Sequence, residues 1–332
     1  MNPIRWGIIG CGNVTEVKSG PGFQQAEGSR LVAVMRRDGN KARDYAERHG
    51  VARWYADAEQ LIHDPEVDAV YVATPPSSHA EYTLRAAAAG KPVYVEKPMA
   101  CDADECRRMI DACRGAGVPL FVAYYRRALP RFLKVKELLD TGVIGTPRLV
   151  TVTQYYAPGQ YDPANLPWRV RPEIAGAGLF LDLASHTLDI LDFLLGPVAE
   201  AKGVAVNQAG LYPAEDCVAA SLAFASGTLG VGIWCFTAYD KGPVDANVIV
   251  GSRGKLSFST FGTEPIELVT PTGVTLHPAP TPPHIQQPLI QTIVNALNGG
   301  SPCPSTGDTA VRTSVVMDAI LRDWRATVTQ KL

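Results

Sequence analysis

Three short constellations in this chain carry side chains suited to chemistry. The first is Lys97, within Glu96-Lys97-Pro98. A lysine cation stabilises a developing alkoxide and, in the reverse direction, polarises a carbonyl. The second is Asp182, His186 and Asp189, at i, i+4 and i+7 within the apolar stretch 179–195. If that stretch is one α-helix, at about 100° per residue, the three fall within about 60° of one another on one face. Leu183, Ile190, Leu191 and Leu194 then point the other way, into a core. Oxidising an alcohol needs a proton acceptor near neutral pH, which histidine supplies. A carboxylate one turn away orients the ring and stabilises its charged form. His186 is therefore read as general acid–base and Asp182 as its support, with the reverse assignment open. The plainer reading is a polar helix face on which His186 only pairs with a carboxylate. It does not account for so narrow a polar stripe on an apolar helix. Gly176-Ala177-Gly178, just ahead, lets the chain turn tightly.

The third constellation is Gly10-Cys11-Gly12-Asn13-Val14, which follows the apolar run 4–9. In a dinucleotide-binding turn, Gly10 permits the tight bend and Gly12 lets the backbone approach a pyrophosphate. The amides that follow, from Asn13 and Val14 onward, face its charge. Thr15 holds the third glycine position. The acidic residue that would bind a ribose 2′-hydroxyl belongs at the end of the second strand, about 20 residues on. Here the run 31–35 ends in Arg36-Arg37. An arginine makes charge-assisted bonds to a 2′-phosphate, whereas a carboxylate repels it. The expectation is NADP(H), with NAD(H) as the alternative if Asp38 reaches the ribose and the arginines are only a solvated pair.

These residues need elements to hold them. Over the first 120 residues, apolar runs at 4–9, 31–35, 67–73, 92–95 and 120–123 alternate with helical stretches at 40–49, 78–89 and 103–114. That alternation implies a parallel sheet with right-handed crossovers. Ligands collect at the carboxyl ends of such strands, which puts Lys97, after Val93-Tyr94-Val95, over the nicotinamide end of a cofactor site. Outside that context Lys97 would read as a surface lysine paired with Glu96. Beyond residue 123 the texture changes. Helices are expected at 131–140, 179–195, 285–298 and 307–325. Strands are expected at 148–156, 200–207, 217–224, 228–236, 246–250, 255–259, 266–269 and 274–277. Short turns at 225–227 and 252–254 imply an antiparallel sheet. The proline-bearing stretch 271–288 reads as largely loop. The fold class is thus α/β: an N-terminal doubly wound parallel sheet (1–123), then an α+β domain on a large, mainly antiparallel open sheet (124–332).

Composition narrows the rest. The chain has 332 residues, 46% apolar and 19% charged, with 30 glycines and 26 prolines. This is globular composition for about two domains, rich in turns. Lys and Arg number 31 against 33 Asp and Glu, a formal net charge of −2, which gives no global field for nucleic acid or an anionic membrane. The seven cysteines include no C-x-x-C pair, so free thiols and no metal site are expected. Asp182, His186, Asp189 and Asp192 interrupt the most apolar stretch, which does not read as a membrane span. The N-terminus lacks a signal-peptide apolar core, so a reduced cytoplasmic protein is expected.

The ordered set Gly10-x-Gly12, Thr74-Pro75-x-x-x-His79, Glu96-Lys97-Pro98, Trp168-Arg169 and Gly176-x-Gly178-x-x-x-Asp182-x-x-x-His186 resembles the glucose–fructose oxidoreductase/inositol dehydrogenase (Gfo/Idh/MocA) family. The resemblance covers nearly the whole chain, including the tail 308–319. It implies a Rossmann-type domain followed by a substrate domain, with catalytic roles for Lys97, Asp182 and His186. By it, Thr74, Pro75, His79, Glu96, Trp168, Arg169 and Tyr124 line the cofactor. Read alone, Trp168-Arg169 is a packed aromatic beside a surface cation. The resemblance also implies a homodimer or homotetramer through the open sheet. Departures are Thr15, the Arg36-Arg37 pair, and Tyr125 where many members have Asn. The expected activity is hydride transfer between nicotinamide and a secondary alcohol or hemiacetal carbon of a sugar, polyol or cyclic diol. Two rivals remain: a non-catalytic dinucleotide-binding sensor, and a redox-assisted glycosidase on the same fold.

Overall fold

The computed structural model describes residues 3–239 and 242–329. Packing divides the chain into two units, Met1–Leu129 with Pro282–Val311, and Pro130–Thr281 with Arg312–Leu332. This differs from the expected division at 123/124 in one large respect: the segment 282–311 returns to the first unit.

The first unit is built on six strands, β1 (Ile4–Ile9), β2 (Ser29–Met35), β3 (Arg53–Tyr55), β4 (Ala69–Val72), β5 (Val93–Val95) and β6 (Leu120–Val122). They are parallel, in the order β3-β2-β1-β4-β5-β6. This is the expected doubly wound sheet with one strand more. β3 escapes a sequence reading because it is three residues long, at the sheet edge, with Trp54 exposed. Its neighbouring helix Ala58–Ile62 is also unforeseen, and is capped by Asp57. Residues 15–25 form a π-turn (Thr15–Ser19) and a short helix (Gly20–Gln25).

The two sheet faces differ in chemistry. One carries Ile9, Val70, Val72, Val93, Val95 and Val122, all buried in an aliphatic core. The alternate residues Trp6, Tyr71 and Tyr94 gather with Phe23 into an aromatic cluster, with Trp6–Phe23 and Tyr71–Tyr94 centroids both 4.8 Å apart. Alternation across the pleat produces this sorting. The returning segment supplies Gln286, Leu289, Ile290 and Ile293, all fully buried. The Tyr94 hydroxyl donates to Gln286 Oε1 (3.1 Å), which ties the segment to the aromatic face. Ser305 Oγ also donates to Val122 O (2.7 Å), beside an isolated bridge from Thr306 to Phe121. These bonds are the physical reason the division differs from the sequence expectation.

The second unit holds eight strands: β7 (Pro147–Tyr155), β8 (Val198–Val206), β9 (Cys217–Phe224), β10 (Leu229–Cys235), β11 (Val244–Gly251), β12 (Lys255–Phe258), β13 (Ile266–Thr270) and β14 (Gly273–His277). Their order is β14-β13-β12-β11-β7-β10-β9-β8. Every pair is antiparallel except β7–β10. The expected large, mainly antiparallel sheet is therefore present. Residues alternate between buried and exposed along β9 and β10, so one face is open. That face exposes Leu229, Val231 and Ile233 by 60, 50 and 40%.

The stretch 172–195 is not one α-helix. A short helix (Pro172–Ala175) precedes a π-turn (Phe180–Ala184), and an α-helix (Ser185–Leu195) follows directly. A π-turn closes i→i+5 bonds. A uniform advance of about 100° per residue therefore fails between Asp182 and His186. The consequence shows at Leu183, which is only half-buried, while Ile190 and Leu191 are fully buried as expected. This run is long and apolar enough to cross a membrane, but 78% of its most apolar window is buried inside the fold.

Candidate active site

In the first unit, parallel strands bring their carboxyl ends to one sheet edge. The loop after β1 supplies Gly10, Gly12, Asn13 and Val14, and the loop after β2 supplies Arg36 and Arg37. Thr74 and Pro75 follow β4; Glu96 and Lys97 follow β5. Gly10 has φ +93°, and a Cβ there would lie 2.7 Å from Thr74 Cγ2. Only glycine fits that bend. At Gly12 the contrast is sharp: a Cβ would meet nothing nearer than Gly10 O at 3.8 Å. That open space over the turn, with Asn13 exposed beside it, suits a pyrophosphate on the following amides. Thr15, in the third glycine position, is fully buried and donates from Oγ1 to Gly12 O (2.7 Å), bracing the turn.

Arg36 is half-buried, and its Nη1 donates to Cys11 O (3.2 Å), which holds the guanidinium at the glycine turn. Arg37 is exposed. Asp38, the rival ribose ligand, caps the helix Gly39–His49 by accepting Lys41 N (3.3 Å). Burial pushes the Cys11 thiol up to about 11, so it remains an inert thiol in the turn.

Below Lys97 lies a buried network. Glu96 Oε1 accepts from Tyr71 Oη (2.5 Å) and Gln286 Nε2 (2.7 Å), and Oε2 accepts the Lys97 N–H (3.0 Å). Burial pushes both Tyr71 and Tyr94 phenols well above their ordinary range, so they serve as donors. Glu96 therefore fixes the backbone of Lys97. His79 works similarly. It is fully buried, with Nε2 against Thr74 O (2.6 Å) and Nδ1 against Pro98 O (3.1 Å) and Met99 O (3.2 Å). It ties the loop after β4 to the loop after β5, and burial holds it below the usual histidine range. Tyr124, expected from the resemblance at the cofactor, is fully buried in the core cluster of this unit.

The second unit holds the other group. Arg169 Nε donates to Asp182 Oδ2 (3.0 Å), and its guanidinium lies 4.4 Å from the Trp168 ring centroid. Trp168 and Arg169, expected from the resemblance at the cofactor, thus group with Asp182, in the unit that lacks the glycine turn. His186 is buried, its ring edge-on to Phe261 at 5.8 Å. Asp189 is fully buried. Asp192 is bidentate to Arg312 (2.8 and 2.6 Å).

Family models match both halves. Residues 4–124 match the oxidoreductase family with an NAD-binding Rossmann fold, and residues 132–257 match the GFO/IDH/MocA C-terminal domain. Oxidoreductase P35 of Formosa agariphila is 40% identical over 317 residues, covering 95% of this chain and 97% of that protein. The chain belongs to the GFO/IDH/MocA oxidoreductase family. It is thus a dehydrogenase or reductase with an NAD-binding domain. Another relative in this family is myo-inositol 2-dehydrogenase of Thermotoga maritima, 31% identical over 69% of this chain and 67% of that one. Among solved structures, aldose-aldose oxidoreductase from Caulobacter crescentus, complexed with glycerol, superposes with a TM-score of 0.87. It is 27% identical and covers 98% of both chains.

Sequence reasoning missed Gln286, Tyr71 and Glu215. Gln286 reaches Glu96 across 190 residues, and Glu215 reaches Gly178 across 37. Such pairings leave no local spacing to read.

Proposed function

We propose that this GFO/IDH/MocA oxidoreductase moves a hydride at a secondary alcohol or hemiacetal carbon of a sugar, polyol or cyclic diol, with NADP(H) preferred. The nicotinamide, when bound, accepts or donates that hydride. The chain supplies the rest. Gly10, Gly12, Asn13 and Val14 hold the pyrophosphate, and Thr74 and Pro75 flank them. Lys97, on the backbone that Glu96 fixes, stabilises the alkoxide oxygen. His186 takes the hydroxyl proton, and Asp182, held by Arg169, supports it. The named relatives act on inositol and on aldoses, which supports the substrate class.

One observation carries the cofactor preference. Arg36 is held at the glycine turn while Asp38 is engaged as a helix cap. The exposed apolar stripe of β10 supports a homo-oligomer through the open sheet. The decisive experiment is a sugar and polyol panel followed by nicotinamide absorbance with both cofactors, beside Lys97→Ala. Turnover that falls about a thousandfold in Lys97→Ala, with cofactor affinity kept, supports the reading and rejects a sensor. Tighter binding of NAD(H) than NADP(H) refutes the preference.

A further inference from the structure

Glu215 is fully buried, and the proposed chemistry does not use it. Both its carboxylate oxygens accept the Gly178 N–H, at 2.8 and 2.9 Å. The Phe180 N–H also favours the charged form of this carboxylate. These amides lead into the turn that carries Asp182, which runs directly into the helix of His186. Leading amides lack an intrahelical acceptor and bear partial positive charge, so a carboxylate pairs them and is stabilised by them. The approach is close: a Cβ on Gly178 would stand 2.7 Å from Ala214 Cβ and 2.9 Å from Glu215 O. Gly178 is therefore glycine because the segment Ala214-Glu215, just before β9, presses against it.

We propose that the Glu215 carboxylate is a positioning group that clamps the 178–180 turn and so fixes how Asp182 and His186 are presented. The proposal rests on the reading of those two as the acid–base pair. Burial pushes the Glu215 carboxyl up to about 7, against the pull of the two amides and of Arg325. The charged and titratable groups around it are few. Arg325, from the C-terminal helix, also binds Asp318 (2.6 Å). Tyr212, on the loop before Glu215, is itself pushed up by burial and stays neutral. Asp216 is engaged by the Gln208 and Ala209 N–H groups (2.8 and 2.7 Å). Protonation turns one Glu215 oxygen from acceptor to donor, which opens the clamp as pH falls below about 7. A purely structural role would be better served by a neutral amide, since burial opposes the charge.

Glu215→Gln keeps the volume but removes the charge and one acceptor. At about pH 8, backbone amide exchange across 178–186 of the full chain is expected to rise about tenfold, while the melting temperature holds or rises. With a turned-over sugar or polyol, kcat falls about tenfold with KM within about threefold. Glu215→Asp, which keeps the charge, recovers part of both. Exchange within about twofold of wild type overturns the clamp. So does a parallel loss of melting temperature and activity, which would mark a merely structural residue. If the wild type turns over no sugar or polyol, the proposed function fails, and the exchange measurement still decides the clamp by itself.

Discussion

Replacing Gln286 with leucine tests whether the returning segment holds the site together. Gln286 Nε2 donates to Glu96 Oε1, and its Oε1 accepts the Tyr94 hydroxyl. Leucine is close in volume and removes both bonds. The bond to a charged acceptor contributes about 1.5–3 kcal/mol, and leaving the buried Tyr94 hydroxyl unpaired costs about 1–3 kcal/mol more. The added apolar surface offsets about 1–2 kcal/mol of this. At the midpoints of these ranges the net loss is about 3 kcal/mol, or a fall of roughly 6–12 °C in the melting temperature of the Rossmann unit. Scanning calorimetry of the whole chain, with two transitions resolved, is the assay, since one midpoint is ill-defined for two units. A second arm sharpens it. Tyr94→Phe in the Gln286→Leu background removes the orphaned hydroxyl, and about 1–2 kcal/mol should return. A melting temperature within about 1 °C of wild type, or no recovery in the double variant, refutes the reasoning.

Other expectations follow from the same geometry. Gly10→Ala strains a φ of +93° and meets Thr74 at 2.7 Å, so the unit should melt several degrees lower; Gly12→Ala finds open space, so melting should hold while cofactor affinity drops. Titration calorimetry beside thermal melting separates the two. Arg36→Ala should weaken NADP(H) by about 10–100-fold and leave NAD(H) nearly unchanged, read as dissociation constants. Ile233→Glu, on the exposed face of β10, should shift any oligomer toward monomer in sedimentation velocity without changing melting. Glu16 is held down to about 2 by Arg48 and then His49, so it stabilises above about pH 4.5 and loses this as pH falls toward 2. After solvent screening the loss is about 1 kcal/mol, and Glu16→Gln should remove that acid slope in denaturant titrations. Glu215 has the opposite sign. Its raised value contributes stability below about 4.5 that is lost as pH rises through about 7, and Glu215→Gln should flatten that slope.

Most strands were legible because apolar runs and turn residues are local signals. Cys217–Phe224 lies where the alternation puts it, and the 225–227 turn joins it to β10. The glycine turn and Lys97 were legible because a parallel sheet sends every carboxyl end to one edge. What failed was of three physical kinds. β3 is too short and too exposed to show a pattern. The π-turn at 180–184 has no sequence marker, so Leu183 was placed in the core that it only half enters. Gln286, Glu215 and the Arg169–Asp182 pair depend on chain returns, which periodicity does not encode. The helix 285–298 was visible as a helix, but not its return to the first unit, where Leu289, Ile290 and Ile293 are buried.

The return of 282–311 bears on how this protein is made. A ribosome delivers the six Rossmann strands by Val122, yet Gln286 comes 286 − 122 = 164 residues later. At about 5–20 residues per second, the interval is roughly 10–40 s. During it the Tyr94 hydroxyl lacks its Gln286 acceptor and Glu96 lacks its Gln286 donor. The nascent sheet must therefore wait for the second unit's strands to emerge before it can close. A stop codon anywhere before this segment leaves the cofactor-binding unit unfinished, even though every glycine and lysine of its motif has been translated.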